Sequence, residues 1–238
     1  MAGRRGAGRP DHGTEHSSRL PSIPTFITTG DEVRAKDVGN EKTVTGTGFS
    51  LAGAAADNYA LGSATLTTAA DITANGLTVG FTAADKVYDG TAAASITDRS
   101  TSGVQAGDVV TVSGGSATFA NKNVGDGKPV TASGFVLGGA DGGNYSVQSV
   151  NPATANITPK SVTGSFTADD KTYDGNTSAT VTGQSLNDTI SGDNVSLTGG
   201  TATFATKNAG TAKTVTLTGA TLTGTDAGNY TLTSVATT

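Results

Sequence analysis

The chain repeats itself with a period of 85 residues, and this period constrains its fold more than any other feature of the sequence. Three separate segments return with the same offset, which leaves little room for chance similarity. The sequence therefore predicts two nearly complete copies of one structural unit, at residues 80–161 and 162–238. The matching segments are 81–90 with 166–175 (FTAADKVYDG and FTADDKTYDG), 117–125 with 202–210 (ATFANKNVG and ATFATKNAG), and 141–145 with 226–230 (DGGNY and DAGNY).

A partial copy of the unit precedes the two others, at residues 31–79. It has no counterpart of the half that contains Tyr-Asp-Gly. Half of a β-domain leaves strand edges and part of an apolar face uncovered, so we expect this segment to open locally more easily than the rest. The residues of the partial copy that match later ones at an offset of 85 or 86 are Lys36, Gly39, Val44, Phe49, Leu51, Tyr59 and Ile72.

The composition favours β-structure with many turns. The 238 residues include 34 glycines and are only 34% hydrophobic, and no window has a sustained apolar stripe with helical spacing. Short alternating runs such as 230–235 (YTLTSV) are separated by glycine and asparagine pairs, which are typical of strands joined by tight turns. We therefore predict an all-β fold of tandem antiparallel β-domains.

The Asp-x-Gly-x-Tyr segments indicate the kind of β-domain. They are similar to the tyrosine corner of immunoglobulin-like sandwiches, in which a phenol hydrogen-bonds to nearby backbone. This favours an immunoglobulin-like Greek-key sandwich, with a β-grasp-like module as the alternative. In either case we expect a buried tyrosine whose hydroxyl bonds to the backbone. The motif residues are Asp141, Asn144 and Tyr145 in one copy and Asp226, Asn229 and Tyr230 in the next.

The Tyr-Asp-Gly segments resemble those of a known repeat family. Residues 88–90 and 173–175, each followed downstream by Gly-Asn-Tyr, are similar to the YDG-type tandem repeats of bacterial surface proteins. Those proteins include filamentous-haemagglutinin-like adhesins and large secreted exoproteins. The resemblance covers residues 31–238. It implies a β-rich stalk or adhesion module outside the cell and implies no catalytic residues.

Each Tyr-Asp-Gly segment has two interpretations. It is either a recognition loop with an exposed tyrosine or a structural turn. We favour the turn, in which the aspartate accepts hydrogen bonds from its own backbone and the glycine adopts a positive φ. The residues concerned are Tyr88, Asp89, Gly90, Tyr173, Asp174 and Gly175.

Two clusters of acidic and asparagine residues raise the question of calcium. Calcium takes about six to eight oxygen ligands, and neither cluster has the spacing of a calcium-binding loop. We therefore expect solvated turns, with no metal and no cofactor. The clusters are Asp169, Asp170, Asp174 and Asn176, and Asn187, Asp188, Asp193 and Asn194.

Several function classes are disfavoured. Both histidines, His12 and His16, lie in residues 1–30, which we expect to form a disordered tail, so the repeats contain no histidine for a catalytic triad or a zinc site. A net charge of −5 is unsuited to binding nucleic acid, and no apolar run is long enough to cross a membrane. We expect no enzymatic activity.

The sequence thus predicts a non-catalytic structural and adhesive segment of a large bacterial surface or secreted protein, located outside the cell or on its surface. Adjacent repeats of a longer parent chain are the expected partners, and a host or matrix glycan or protein is the candidate ligand. The alternative is a carbohydrate-binding module of a larger secreted protein. Five tyrosines, seven phenylalanines and no tryptophan offer little material for a sugar-binding platform.

Overall fold

The computed structural model describes residues 36–53 and 55–238. The chain divides into two compact units, one ending at Thr73 and one running from Ala74 to Thr238. The described residues form strands, turns and three short 3-10 turns, with no α-helix among them, so the all-β prediction is confirmed. The predicted disordered tail, residues 1–30, lies outside the described residues.

The first unit contains one hairpin-like pair of strands. Strand β1 (Gly39–Thr47) pairs antiparallel with β2 (Thr65–Ile72), and a 3-10 turn (Ala56–Asn58) lies between them in sequence. None of the unit's described residues is buried. Its exposed apolar residues include three from the expected open face, namely Phe49, Leu51 and Tyr59.

The second unit contains two copies of one β-domain. We call residues 74–158 the second repeat and residues 159–238 the third repeat. The strands of the second repeat are β3 (Asn75–Ala83), β4 (Lys86–Val87), β5 (Ala93–Ala94), β6 (Ile96–Ser102), β7 (Thr111–Phe119), β8 (Gly125–Gly138), β9 (Tyr145–Val150) and β10 (Ala153–Thr158). Those of the third repeat are β11 (Lys160–Ala168), β12 (Ser178–Ala179), β13 (Val181–Asn187), β14 (Ser196–Phe204), β15 (Val215–Thr223) and β16 (Tyr230–Val235).

Each repeat is built from two sheets. In the second repeat the strand orders are β6-β3-β9 and β4-β10-β8-β7-β5, and in the third they are β13-β11-β16 and β12-β14-β15. The order β13-β11-β16 corresponds to β6-β3-β9, and β15-β14-β12 corresponds to β8-β7-β5. Among the described residues of the third repeat, no paired strand lies at the positions of β10 and β4.

The pairing differs in one respect from the expected antiparallel arrangement. The first strand of each repeat is central, and the last strand of its sheet returns beside it in the same direction, so β3 pairs parallel with β9 and β11 pairs parallel with β16. Strand β10 also pairs parallel with β4. Parallel neighbours need a long crossover connection, which here is the chain that forms the opposite sheet.

Side chains from both sheets meet in one core, as in a β-sandwich. In the second repeat this core contains Phe81 of β3, Phe119 of β7 and Ile157 of β10. The same cluster continues into the third repeat through Tyr88 and Tyr230. The third repeat also has a smaller core of its own, formed by Phe166, Ala202, Val215 and Leu217.

The boundaries predicted between the repeats fall inside strands. The one between residues 79 and 80 cuts β3, and the one between 161 and 162 cuts β11. The segment around Pro152 and Pro159 is largely the strand β10, and only Pro159 separates β10 from β11. Among the described residues, no helix has the length and apolar character needed to cross a membrane.

Candidate functional site

The Tyr-Asp-Gly segment of the second repeat forms a tight, internally bonded turn. Asp89 Oδ1 accepts hydrogen bonds from the Thr91 backbone N–H and hydroxyl, each at 2.9 Å, and Gly90 has a φ of 78°. Lys86 Nζ lies 2.7 Å from the same oxygen. Burial raises the pKa of Asp89, but the bonds from Lys86 and Thr91 outweigh this and hold that pKa below its ordinary value.

The third repeat builds the same turn with slightly different partners. Asp174 Oδ1 accepts the Asn176 backbone N–H at 3.1 Å and lies 2.8 Å from Lys171 Nζ, while Gly175 has a φ of 82°. The hydrogen bond from Lys171 is the main cause that lowers the pKa of Asp174. The turn geometry therefore follows from the local sequence in both copies.

The two tyrosines of these turns have opposite environments. Tyr88 is 1% exposed, whereas Tyr173 is 59% exposed. Because the turns themselves match, the difference comes from what packs against each ring.

Tyr88 is buried at the junction with the third repeat. Its hydroxyl donates a hydrogen bond to Asp193 Oδ2 at 2.7 Å, and the Tyr230 hydroxyl donates to the same oxygen at 2.6 Å. The two rings meet edge to face with centroids 5.5 Å apart. Tyr230 Oη also accepts the backbone N–H of Ile190 at 3.0 Å. One carboxylate thus joins the tyrosines of two repeats.

A lysine completes the shell of this carboxylate. Lys122 Nζ of the second repeat lies 2.9 Å from Asp193 Oδ1 and 3.5 Å from Asp226 Oδ1. It also lies 5.7 Å from the centre of the Tyr88 ring, within cation–π range. The Asp193 side chain is only 4% exposed, so its charge is paired inside the junction.

An asparagine adds a second link between the repeats. Asn229 is buried, and its Oδ1 accepts the backbone N–H of Val124 at 2.9 Å. A backbone group of the second repeat is therefore bonded by a motif residue of the third. We call the set Tyr88, Lys122, Asp193, Asn229 and Tyr230 the junction cluster.

The protonation states of the junction cluster follow from its burial and bonding. Burial is the largest cause that raises the pKa of Tyr88, followed by its bond to Asp193. Burial and the same carboxylate raise the pKa of Tyr230 to about 12. Burial also raises the pKa of Asp193, but the hydrogen bonds from Tyr230, Lys122 and Tyr88 outweigh this and hold it below the ordinary range. The cluster therefore holds one carboxylate, one ammonium and two neutral phenols at neutral pH.

The second repeat contains the same tyrosine–carboxylate pair. The Tyr145 hydroxyl donates to Asp108 Oδ2 at 2.7 Å and accepts the Gln105 N–H at 3.1 Å. Asp141 Oδ2 accepts the Val109 N–H at 2.8 Å, as Asp226 Oδ2 accepts a backbone N–H at 3.0 Å in the third repeat. The bond between Tyr230 and Asp193 is thus part of the repeated unit, since Tyr145 and Asp108 are bonded in the same way.

The comparison with known families bears on this repeated unit. The YDG domain pattern matches residues 22–68, 73–155 and 158–238, which together make up most of the chain. The chain belongs to the YDG domain family. No curated protein and no solved structure matches it.

The matches place whole YDG domains close to the second and third repeats of the structure. The second match begins at residue 73 and the third at residue 158, next to the starts of β3 and β11. The predicted boundaries cut β3 and β11. These strands belong to the YDG domains matched at residues 73–155 and 158–238, respectively.

The buried tyrosine of each YDG domain differs from a tyrosine corner. Tyr145 and Tyr230 are 7% and 6% exposed, and each hydroxyl accepts a backbone N–H. That N–H lies 40 residues upstream, instead of the few residues of a corner, and the phenol also donates to a carboxylate. Each tyrosine follows a 3-10 turn, Gly142–Asn144 or Ala227–Asn229, that starts the last strand of its sheet.

Two residues of the acidic clusters considered for calcium are paired with lysines of the chain. Asp174 is bonded to Lys171 and Asn176, and Asp193 belongs to the junction cluster. Within residues 36–53 and 55–238, no group of three or more acidic or histidine side chains is placed to hold a metal ion. The two histidines lie outside these residues.

Two residues of the junction cluster were missed by the sequence analysis as site residues. Asp193 was considered only as a calcium ligand, and Lys122 only as a marker of the period. A signal was present, since Asp108 and Asp193 each follow a glycine and lie 85 residues apart. Two acids at the same position of two repeats indicate a shared structural partner.

Proposed function

We propose that the chain is a non-catalytic structural array of YDG domains and that it serves as a stalk segment of a large bacterial surface or secreted protein. The observation that carries the proposal is the junction cluster. In this cluster the tyrosine of one Tyr-Asp-Gly segment, Tyr88, connects the second repeat to the third.

The chemistry of the cluster supports a structural role. Both oxygens of Asp193 accept hydrogen bonds from the chain's own groups, and the two phenols stay neutral because their pKa values are raised. Buried groups that satisfy one another in this way rigidify a site and offer no open position to a substrate. Docking of this kind turns tandem domains into a stiff spacer, since each contacts its neighbour.

The stiffness is testable by comparing two matched variants. Tyr88→Ala removes the docked ring, whereas Tyr173→Ala removes the corresponding exposed ring and serves as the control. Residual dipolar couplings, measured separately for residues 74–158 and 159–238, report whether the two repeats share one alignment. We expect one shared alignment for the native chain and for Tyr173→Ala, and two for Tyr88→Ala. A Tyr88→Ala chain that keeps a single alignment would contradict the proposal.

The proposed location and adhesive role need their own test. Antibodies raised against the chain should label intact cells of the source bacterium without permeabilisation. The chain should also be applied to an array of host glycans and matrix proteins. Labelling with no array signal supports a stalk alone, and labelling with a saturable signal supports adhesion as well. Labelling that requires permeabilised cells would contradict the surface location.

Carbohydrate binding is the second candidate, and one observation favours it. Tyr173 is exposed beside Asp169, Asp170 and Asn176, all of which line one groove, so an aromatic face and polar groups lie together. If the groove binds a sugar, glycan binding should be lost in Tyr173→Ala and kept in Tyr59→Ala, which changes another exposed tyrosine.

A further inference from the structure

Two of the five tyrosines meet where the second repeat contacts the third. Tyr88 belongs to the Tyr-Asp-Gly turn of one repeat, and Tyr230 begins the last strand, β16, of the other. Both hydroxyls donate to a single atom, Asp193 Oδ2, so the two phenols converge at their hydroxyl ends. The ring carbons beside each hydroxyl, Cε1 and Cε2, therefore lie at the end where the phenols converge. These are the carbons at which phenoxyl radicals couple.

Burial separates this pair of phenols from other reaction partners. Tyr88 is 1% exposed and Tyr230 is 6% exposed, and Ile157 and Val162 pack in the same core. A radical formed on one of the two rings is therefore in contact with the other ring and is shielded from other chains. An exposed ring such as Tyr173 is instead open to coupling with other chains.

The shared carboxylate supplies the base that phenol oxidation requires. A phenol gives up an electron most readily when its proton leaves at the same time, and the hydroxyl protons of Tyr88 and Tyr230 already point at Asp193. In the junction cluster this carboxylate is ionised and both phenols are neutral. An oxidised phenol is a much stronger acid than a carboxylic acid, so its proton moves to Asp193.

Lys122 balances the charge when that proton moves. Its Nζ lies 2.9 Å from Asp193 Oδ1 and 3.5 Å from Asp226 Oδ1. When Asp193 becomes neutral, the ammonium group keeps Asp226 as its counter-ion. The transfer therefore leaves no unpaired charge in the junction, which would be costly in a buried site.

We propose that Tyr88 and Tyr230 are a site of oxidative crosslinking, at which a one-electron oxidant joins the second repeat to the third through a dityrosine bond. The class of oxidant is a metal-centred one, such as the activated haem of a peroxidase. Such an oxidant withdraws an electron through the protein and does not need to touch a buried ring.

The reaction balances as the removal of two electrons and two protons. Each phenol loses one electron to the oxidant and its hydroxyl proton to Asp193 or to solvent, which gives two phenoxyl radicals. The radicals join through one Cε carbon of each ring. The hydrogen on each of these carbons then leaves as a proton, and each phenolic oxygen takes up a proton, so both hydroxyls are restored in the product.

The crosslinking site does not depend on the role of the chain as a stalk or on its location. It requires only the two phenols, their shared carboxylate and an oxidant. Where the junction carries a load, the new carbon–carbon bond makes the contact between the two repeats permanent.

The test is photo-oxidation of the full chain with tris(bipyridine)ruthenium(II) and persulfate, in dilute solution, followed by isolation of the monomer under denaturing conditions. We expect this monomer to show the blue fluorescence of dityrosine and a mass lower by two hydrogen atoms. Digestion with trypsin, which cuts after lysine and arginine, should yield residues 87–99 linked to residues 214–238. The linked peptides of the native chain identify the site whatever the stability of any variant.

Matched variants sharpen the result. Tyr88→Phe and Tyr230→Phe keep the rings but cannot form a phenoxyl radical, so each should reduce the yield of crosslinked monomer to background. Tyr173→Phe and Tyr145→Phe change the corresponding tyrosines of the other repeat and should leave that yield at the native level.

Three outcomes would overturn the proposal. They are the absence of crosslinked monomer from the native chain, linked peptides that lack Tyr88 or Tyr230, and an undiminished yield in Tyr88→Phe or Tyr230→Phe. If the native chain gives no crosslinked monomer while its two repeats share one alignment, the oxidation site is refuted and the stalk proposal stands.

Discussion

The second and third repeats have the same Tyr-Asp-Gly turn, yet they place its tyrosine in opposite environments. In both turns a lysine bonds the aspartate and the glycine has a left-handed backbone. Only Tyr88 is covered: it packs in one core with Ile157 of β10 and Tyr230 of the third repeat, and its hydroxyl bonds to Asp193. The turn is therefore a local product of sequence, and the burial of its tyrosine depends on neighbouring strands.

This difference separates two roles within one motif. Lysine, aspartate and glycine shape the loop in the second and third repeats, where Lys86 and Lys171 each contact the aspartate of the turn. We expect the tyrosine to contribute to stability only where the next repeat supplies a carboxylate for its hydroxyl and apolar side chains that cover its ring. Matched substitutions in the two repeats can test this assignment.

The largest expected effect is that of Tyr88→Ala. Removing a fully buried aromatic side chain should lower the free energy of unfolding of the second unit by about 3–5 kcal/mol. Tyr173→Ala removes an exposed ring and should change it by less than about 0.5 kcal/mol. Urea denaturation followed by circular dichroism measures both. Equal effects in the two repeats would show that the tyrosine acts within its own turn.

Asp193→Ala should have the next largest effect. It leaves Lys122 and two buried phenols without their shared acceptor, and we expect a loss of about 2–3 kcal/mol. Asp98→Ala, at an exposed strand position, is the control and should cost less than about 0.5 kcal/mol. A loss for Asp193→Ala no larger than the control would mean that the cluster adds nothing to the junction.

The pH dependence of the free energy of unfolding should show the contribution of the buried Tyr230 phenol. Tyr230 has a pKa of about 12 in the folded chain and an ordinary value near 10 when unfolded, so the folded state holds its proton more tightly. Its contribution is fully present below pH 10 and is lost as the pH rises from about 10 to about 12, by on the order of 2 kcal/mol. Chemical denaturation across this range measures the loss. Tyr230→Phe should flatten the profile, and an unchanged slope in that variant would assign the loss to other groups.

Tyr230→Phe at neutral pH should have the smallest effect. The ring stays in place, and only the hydrogen bonds of the hydroxyl to Asp193 and from Ile190 are lost, so we expect about 1 kcal/mol. Tyr173→Phe is the matched change at an exposed site and should be neutral. Thermal unfolding of both variants checks the difference. A neutral Tyr230→Phe would assign the stabilisation to ring packing alone.

Much of the fold could be predicted from the sequence because it depends on local or periodic features. The period of 85 residues predicted two equivalent domains, and the alternation of residues such as 230–235 predicted strands. The turn at Asp89 and Gly90 also depends on neighbouring residues only. The parallel pairing of β3 with β9 could not be predicted from the sequence, because the alternation of apolar and polar residues does not specify the direction of a strand.

The junction cluster depends on contacts that single-sequence reasoning does not reach. Tyr88 and Asp193 are separated by 105 residues, and their meeting is determined by how two domains pack. The acidic residue was therefore considered as a calcium ligand, because solvated acids and buried acids look alike in a sequence. The predicted boundary at 161/162 falls inside β11 for a related reason, since the pairing that defines the extent of a strand is not visible in the sequence.

The parallel pairing of β11 with β16 has a mechanical consequence. These two strands are the first and last of the third repeat, and they lie side by side along five paired residues. A pull on the two ends of the repeat drags them past each other lengthwise, so the hydrogen bonds between them are loaded together and do not open one at a time. In the second repeat β3 also pairs parallel with β9, but β10 follows β9 and lies in the other sheet. The third repeat is therefore suited to carry tension, because the hydrogen bonds between β11 and β16 together resist the sliding of one strand past the other.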